Sequence, residues 1–563
     1  MRKGIFVFAA IIFIAGVSIA QKADKSAKAS GSVRLPATAI NTMQQIDPQR
    51  IRAHVRFLAH DLLEGRGTGA RGGEIAAEYI GTQFALYGLK PAGDNGTYMQ
   101  KVPLVGITPD PATTFSLVPS SGARMDLKPL DQYVAYDQTQ QPQSDVNADI
   151  VFVGYGIEAP EYKWDDYKGV DVRGKVLLML VNEPPSDDPK FFKGKALTYY
   201  GRWTYKYEEA ARKGAVGAIL IHKTEMASYP WEVVRNSNSA EKSYLKVEGP
   251  VLKVASWIQL DVAGQIASSS GMNLDKMMQD AQSRNFQPVP LPVKLQAHMV
   301  SKVRPFESAN VIAMLPGGDT KLRNEAVIYT AHYDHLGIRP DMQGDNIYNG
   351  ANDNATGCGI LLEIARAYTE SKQRPRRSIL FASVTAEEQG LLGSEYLGKH
   401  PPIPAGQITL DLNFDDVPPL GSPEEVEVSG AERTTFFPVV QNMAKTFRLT
   451  IRPDSRPEAG HYYRSDHFSL ARVGVPSFSI NEGVKYKGHD AAWGKQQADE
   501  YTAKHYHQPS DEYHPESDFT GDAAMARFGF ALGWEAAGQA KEVGWQHGDE
   551  FEPARLKSAS GSE

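Results

Sequence analysis

Apolar residues recur at helical spacing early in the chain. Ile51, Val55, Leu58 and Leu62, then Ile75, Ala76, Tyr79, Ile80 and Phe84, each fall on one face of a 3.6-residue repeat. Two helices are therefore predicted between Pro48 and Tyr87, separated by the glycine-rich stretch 65–73. That stretch has neither a preceding strand nor a Gly-Lys-Ser/Thr ending, so it reads as a turn and not a phosphate loop. Further on the period changes. Asp149–Tyr155, Lys175–Val181 and Ala215–Ile221 are apolar runs of strand length, with a helix predicted over Tyr205–Lys213. After Phe306 the strands are Asn310–Met314, Ala326–Ala331, Arg377–Val384, Ile408–Phe414 and Val475–Ile480. A helix is predicted over 355–369, between the second and third of them. Apolar strands alternating with helices predict an α/β fold with a doubly wound, mostly parallel sheet flanked by helices. In such sheets the functional site lies beyond the carboxyl ends of the strands.

Composition narrows this picture. A chain of 563 residues is too long for one hydrophobic core, so two or more domains are expected. The net charge of −7 argues against a nucleic-acid surface, which needs a basic stripe. Cys358 is the single cysteine, so there is no intrachain disulfide. Arg2 and Lys3 precede an apolar run from Ile5 to Ile19, and Ser18-Ile19-Ala20 fits a small-x-small cleavage site. Residues 1–20 therefore read as a signal peptide. The mature protein is expected to be secreted or periplasmic, with no stable membrane insertion after signal removal. Residues 21–40, rich in Lys, Ala and Ser, read as a flexible leader.

Ligand-type residues stand at three strand ends. His332 follows Thr330-Ala331, Glu387 and Glu388 follow Val384-Thr385-Ala386, and Asp415 follows Leu412-Asn413-Phe414. Asp353, in Gly350-Ala-Asn-Asp353-Asn-Ala-Thr-Gly357, precedes an apolar helix, where it is either a helix cap or a carboxylate shared by two metals. Two adjacent carboxylates such as Glu387 and Glu388 repel unless a cation neutralises one. They can divide the work, with Glu388 as ligand and Glu387 as proton acceptor. His507, in Tyr506-His507-Gln-Pro-Ser-Asp511, completes a set of two histidines and three carboxylates that suits a pair of zinc ions. Asp416 rivals Asp415 and His505 rivals His507. Side chains alternate along a strand, so only one of the two aspartates should face a metal.

Together these pieces resemble the co-catalytic di-zinc aminopeptidase family, which also contains glutamate carboxypeptidase and the transferrin receptor ectodomain. The matching motifs, in the family's order, are His332-x-Asp334, Asp353-Asn-Ala-x-Gly357, Glu387-Glu388-x-Gly390-Leu-x-Gly393-Ser, Asn413-x-Asp415 and His507-x-x-x-Asp511. The likeness extends to the N-terminal helices through Leu89-Lys-Pro91. The pattern Gly214-Ala-Val-Gly-Ala-Ile-Leu-Ile221 resembles an inserted, β-rich protease-associated domain.

The resemblance implies that Asp353 bridges two Zn2+ ions, with His332 and Asp415 completing one and Glu388 and His507 the other. It makes Glu387 the general base and Asp334 the partner of the His332 imidazole. Tyr506, or a tyrosine of His461-Tyr462-Tyr463, is a candidate to steady the oxyanion. The implied domain limits are 41–144 and 296–545 for the catalytic zinc-peptidase domain, 145–295 for the insertion and 546–563 for a flexible tail. The implied function is an exopeptidase acting on peptide substrates, first of all an aminopeptidase. A carboxypeptidase would need cations such as Arg452, Arg456 and Arg464 for the substrate's terminal carboxylate. A glutaminyl-cyclase-like transferase with a single zinc and a non-catalytic, receptor-like ectodomain compete with these two exopeptidase readings.

Overall fold

The computed structural model describes Met1 and residues 35–560, apart from 228, 237, 239, 240 and 341. The expected signal peptide and most of the expected leader lie outside the described residues. The leader's end does not: Ala37–Gln44 is a helix, α1, with Ala39 and Thr42 buried. Helix α2 (Pro48–Leu58) starts from Asp47, whose carboxylate accepts the Gln49 amide, with Pro48 at its first position. Helix α3 is Arg71–Leu86. The two predicted helices are thus present, and the segment between them contains a short helical turn at Asp61–Arg66.

One long strand organises the middle of the chain. Strand β1 (Met99–Pro109), β2 (Gln143–Phe152), β3 (Val176–Leu180), helix α4 (Trp203–Arg212), β4 (Gly217–His222) and β5 (Val254–Gln259) lead to β6 (Val289–Leu315), 27 residues long. The first part of β6 pairs antiparallel with β2, beside the parallel run β2-β3-β4-β5. Ile150, Leu178, Ile219, Ile258 and Leu295 share its core. The last residues of β6, Val311–Leu315, pair antiparallel with a different strand, β8 (Ser378–Val384). The limit expected at residue 295 therefore falls inside a continuous strand.

The part of the sheet beyond β6 carries the ligand-type residues. Its order is β6-β8-β7-β9-β10, where β7 is Ala326–His332, β9 is Ile408–Asn413 and β10 is Ser477–Ser479. From β8 to β10 the pairing is parallel. Every residue of β7, β8 and β9 is buried, as the uninterrupted apolar runs require of strands covered on both faces. Helix α5 (Gly357–Glu370) packs against α2 and against a long helix near the C-terminus. Helix α6 is Ala491–Lys504, and that long helix, α7, is Thr520–Gly538. Tyr368 of α5 stacks on Trp534 of α7, with ring centroids 5.6 Å apart. Gly533 is required at this contact, because a Cβ there would lie 1.8 Å from the Tyr329 hydroxyl. Residues 546–560, expected as a flexible tail, are ordered: Phe551 is buried and Glu552–Ala559 forms α8.

Candidate metal centre

The carboxyl ends of the parallel strands deliver the site. His332 is the last residue of β7, Glu387 and Glu388 sit in the turn after β8, and Asp415 lies just beyond β9. Asp353 is not the cap of α5. That helix begins at Gly357, whose amide donates instead to Asn354 Oδ1 at 3.0 Å. Asp353 is presented by its own backbone, held from below by Asp511. The Asn352 and Asp353 amides donate to the two Asp511 carboxylate oxygens at 3.0 and 3.1 Å. His507 follows α6 in a left-handed conformation, φ 56°.

All five predicted ligands converge. His332 Nε2 lies 3.2 Å from Asp353 Oδ1 and 3.0 Å from Asp415 Oδ1. His507 Nε2 lies 3.2 Å from Asp353 Oδ2 and 3.1 Å from Glu388 Oε2. A tetrahedral zinc with bonds of about 2.0–2.1 Å separates its ligand atoms by about 3.3 Å. The observed spacings are close to that edge. The Asp353 oxygens divide between the triads, one facing each, which is the geometry of a bridging carboxylate. Without a cation, three largely desolvated carboxylates would crowd together at high electrostatic cost. The donor set of two imidazoles and three carboxylates fits two zinc ions.

The local electrostatics follow from burial and contact. Burial works to raise the Asp353 carboxyl, but the hydrogen bonds from His332 and His507 outweigh it and hold the group well below the carboxylate range. Burial lowers the His507 imidazole, yet Asp353 and Glu388 push it up to about 10. Glu387 behaves oppositely to Asp353. Desolvation, with Glu388, Asp415 and Asp466 nearby, raises its carboxyl well above the ordinary value despite His332. A carboxylate with elevated proton affinity beside a metal cluster is equipped to accept and return a proton.

Several expectations need correction or refinement. Asp334 does not hold the His332 ring through its carboxylate: its backbone oxygen accepts from Nδ1 at 3.1 Å, while Oδ1 is 3.9 Å away. The carboxylate instead accepts the Glu387 amide at 3.2 Å and the Thr68 hydroxyl at 2.8 Å. Asp334 thereby positions Glu387. Asp416 turns away from the triads with φ 53°, towards Asn352 and the Tyr501 hydroxyl at 3.3 Å. His505 contacts Ser510. Tyr506 stacks on the His507 ring, centroids 3.9 Å apart, at the edge of the cleft. Tyr462 and Tyr463 are otherwise engaged, their hydroxyls donating to the Ser477 carbonyl and to Glu550. Ser465 also belongs to the centre: its hydroxyl donates to Asp415 Oδ2 at 2.6 Å.

Two further residues beside the centre had no role assigned from sequence. His335 is fully buried with Nδ1 2.6 Å from Glu388 Oε1. Its signal was present in the motif His332-Tyr-Asp-His335. Arg66, inside the glycine-rich stretch, is fully buried and donates to the carbonyls of Tyr333, Leu58, Asn349 and Gly350 at 2.5–2.8 Å. It ties the His332 and Asp353 loops together. No local pattern marks it, because its partners are carbonyls up to 284 positions away.

The triads open into a cleft of about 1440 Å3 whose walls include Glu387, Tyr501, Tyr506 and Arg464. Lys193 and Leu197, from the segment expected as an insertion, also line it.

The sequence pattern of peptidase family M28 matches residues 310–528. All five ligand residues and Glu387 lie inside the matched segment. A probable zinc metalloprotease of Leptosphaeria maculans is 39% identical over 93 residues, 16% of this chain and 20% of that protein. Leupeptin-inactivating enzyme 1 of Streptomyces exfoliatus is 28% identical over 180 residues, 31% of this chain and 36% of that protein. The matched regions thus span about a fifth to a third of these curated relatives. Among solved structures, an aminopeptidase from Aneurinibacillus sp. strain AM-1 superposes with a TM-score of 0.46 at 18% identity. That likeness covers 91% of this chain and 98% of that one.

Proposed function

We propose that the protein is an exported zinc exopeptidase, an aminopeptidase that removes N-terminal residues from peptides. The observation that carries this reading is the pair of triads sharing Asp353, with ligand spacings of 3.0–3.2 Å. Two zinc ions held there would polarise a scissile carbonyl and lower the pKa of a water to about 7. The protein's own residues do the rest. Glu387 accepts the proton of the attacking water and returns it to the leaving amine, which general acid–base catalysis requires of one positioned carboxylate. Asp334 holds the Glu387 backbone, and Ser465 and Asp511 hold Asp415 and the Asp353 loop. Tyr506, stacked on the His507 ring at the edge of the cleft, is the candidate to steady developing negative charge on the substrate oxygen.

Recognition of a free amine is favoured over a terminal carboxylate. Two of the three arginines that a carboxypeptidase would recruit have other partners: Arg452 pairs with Glu427 at 2.8 Å, and Arg464 donates to the Ala459 carbonyl at 2.9 Å. The N-terminal Arg2-Lys3 and apolar run support export, and among the described residues no helix is long and apolar enough to cross a membrane. The segment 145–295 is read as a protease-associated module that walls the cleft.

The deciding experiment measures zinc content and hydrolysis of a panel of aminoacyl and N-blocked peptides, with and without chelator. Two zinc ions per chain and chelator-sensitive cleavage of free-amine peptides are expected. Cleavage confined to N-blocked peptides would overturn the aminopeptidase reading, and a protein that takes up no zinc would overturn the enzyme itself.

A further inference from the structure

We infer that His335 is a positioning residue of the second cation site, its Nδ1–H fixing the Glu388 carboxylate so that Oε2 faces His507 and Asp353. This rests on the two-cation reading above and adds to it a residue outside the five ligands.

The distances separate the two imidazoles near Glu388. His507 Nε2 is 3.1 Å from Glu388 Oε2 and 3.2 Å from Asp353 Oδ2, close to a tetrahedral edge of about 3.3 Å. His335 Nδ1 is 2.6 Å from Glu388 Oε1 and 3.9 Å from Asp353 Oδ2. The first distance is too short for two ligands of one ion and suits a short N–H···O bond to a carboxylate. The second is too long for the same ion's shell. His335 therefore holds one Glu388 oxygen, leaving the other to face His507, where the two would hold a cation together.

The tautomer is set by the surroundings. A carboxylate can only accept, so Nδ1 carries the proton. Nε2 is buried with no hydrogen-bond partner, and a lone pair is better tolerated there than an unpaired N–H. The neutral Nδ1–H form meets both conditions.

The ring's seat is built by distant parts of the chain. The His335 amide donates to the Arg66 carbonyl at 3.2 Å, and Gly67 bridges to it. Gly350 packs against the ring face, where a Cβ would approach Cγ to 2.6 Å. A ligating carboxylate held this way loses metal affinity by about 10–100-fold when its partner is removed.

The test compares His335→Asn with His335→Leu. The two replacements are nearly isosteric, but only the asparagine can place an N–H donor near Nδ1. Zinc binding is measured on metal-depleted protein by competition with a chromogenic chelator, with circular dichroism as the check on folding. Wild type should take two ions. His335→Leu should bind the weaker ion about 10–100-fold less tightly with the other unchanged, and His335→Asn should stay within about threefold of wild type. Wild-type affinity in His335→Leu overturns the inference. So does a roughly tenfold or greater loss in His335→Asn, which decides the matter alone if the leucine variant does not fold. A wild type that binds no zinc would instead sink the two-cation reading, so the two failures are distinguishable.

Discussion

Glu387 and Glu388 are neighbours with opposite surroundings, and these divide the labour between them. Glu388 faces two imidazoles, which lower its carboxyl against the raising effect of burial. Glu387 has only the remoter His332 for compensation and keeps a raised proton affinity. Glu387→Gln keeps the shape and removes the base. Turnover should fall by about 10²–10⁴-fold, with zinc content still two per chain by atomic emission. Full activity in this variant would remove Glu387 from the mechanism. Sequence showed the pair as chemically special because adjacent carboxylates after a buried strand are costly. It could not show Asp334 gripping the Glu387 amide, since a backbone contact leaves no side-chain signature.

Among the elements, the loops ahead of α3 and α5 depend on one cation. Arg66 satisfies four carbonyls from three segments in a fully buried site. A buried carbonyl left unpaired costs about 1–3 kcal/mol. Arg66→Met should therefore destabilise the metal-free protein by more than ~3 kcal/mol in urea titration, with Arg66→Lys intermediate. A loss under ~1 kcal/mol would mean that water or a neighbouring donor replaces it.

The packing of α2 on α3 contains a second buried polar group with a pH signature. His54 lies between the Tyr79 and Tyr87 hydroxyls. Burial, helped by Arg50 and Arg366, lowers its pKa to about 4. The unfolded chain then binds more protons than the native one between about pH 6.5 and 4, so stability falls as pH drops through that window. His54→Gln should remove up to one proton, about 1.4 kcal/mol per pH unit, from the slope of unfolding free energy there. An unchanged slope would show that His54 titrates normally.

Across the whole molecule, Glu550 joins three regions. Its carboxylate accepts from the Tyr199 amide at 3.0 Å, the Tyr463 hydroxyl at 2.7 Å and Arg433 at 2.6 Å, with Lys193 at 3.5 Å. The C-terminal segment, the 145–295 segment and the cleft wall thus meet at one side chain that is 4% exposed. Glu550→Ala removes one of two carboxylates from Arg433, Asp549 keeping its contacts at 2.8 and 2.9 Å, and should cost about 1–3 kcal/mol, read as a lowered Tm. Lys193 and Leu197 line the cleft, so KM should rise while zinc content stays the same. An unchanged Tm would mean that Asp549 alone suffices for Arg433.

What the chain determined locally was the alternation of buried strands and helices and the residue types at strand ends, because a strand buried on both faces must be apolar and must stop where the polar ligands begin. On that basis His332, Asp353, Glu388, Asp415 and His507 were legible as a set, and the structure brings them together. The tertiary fold alone decided which Asp353 oxygen faces which imidazole and that Asp416 turns aside. Contacts across hundreds of positions assigned work to Arg66 and His335 and ordered residues 37–40 and 546–560. These depend on partners remote in the chain, and short-range periodicity carries no record of such partners.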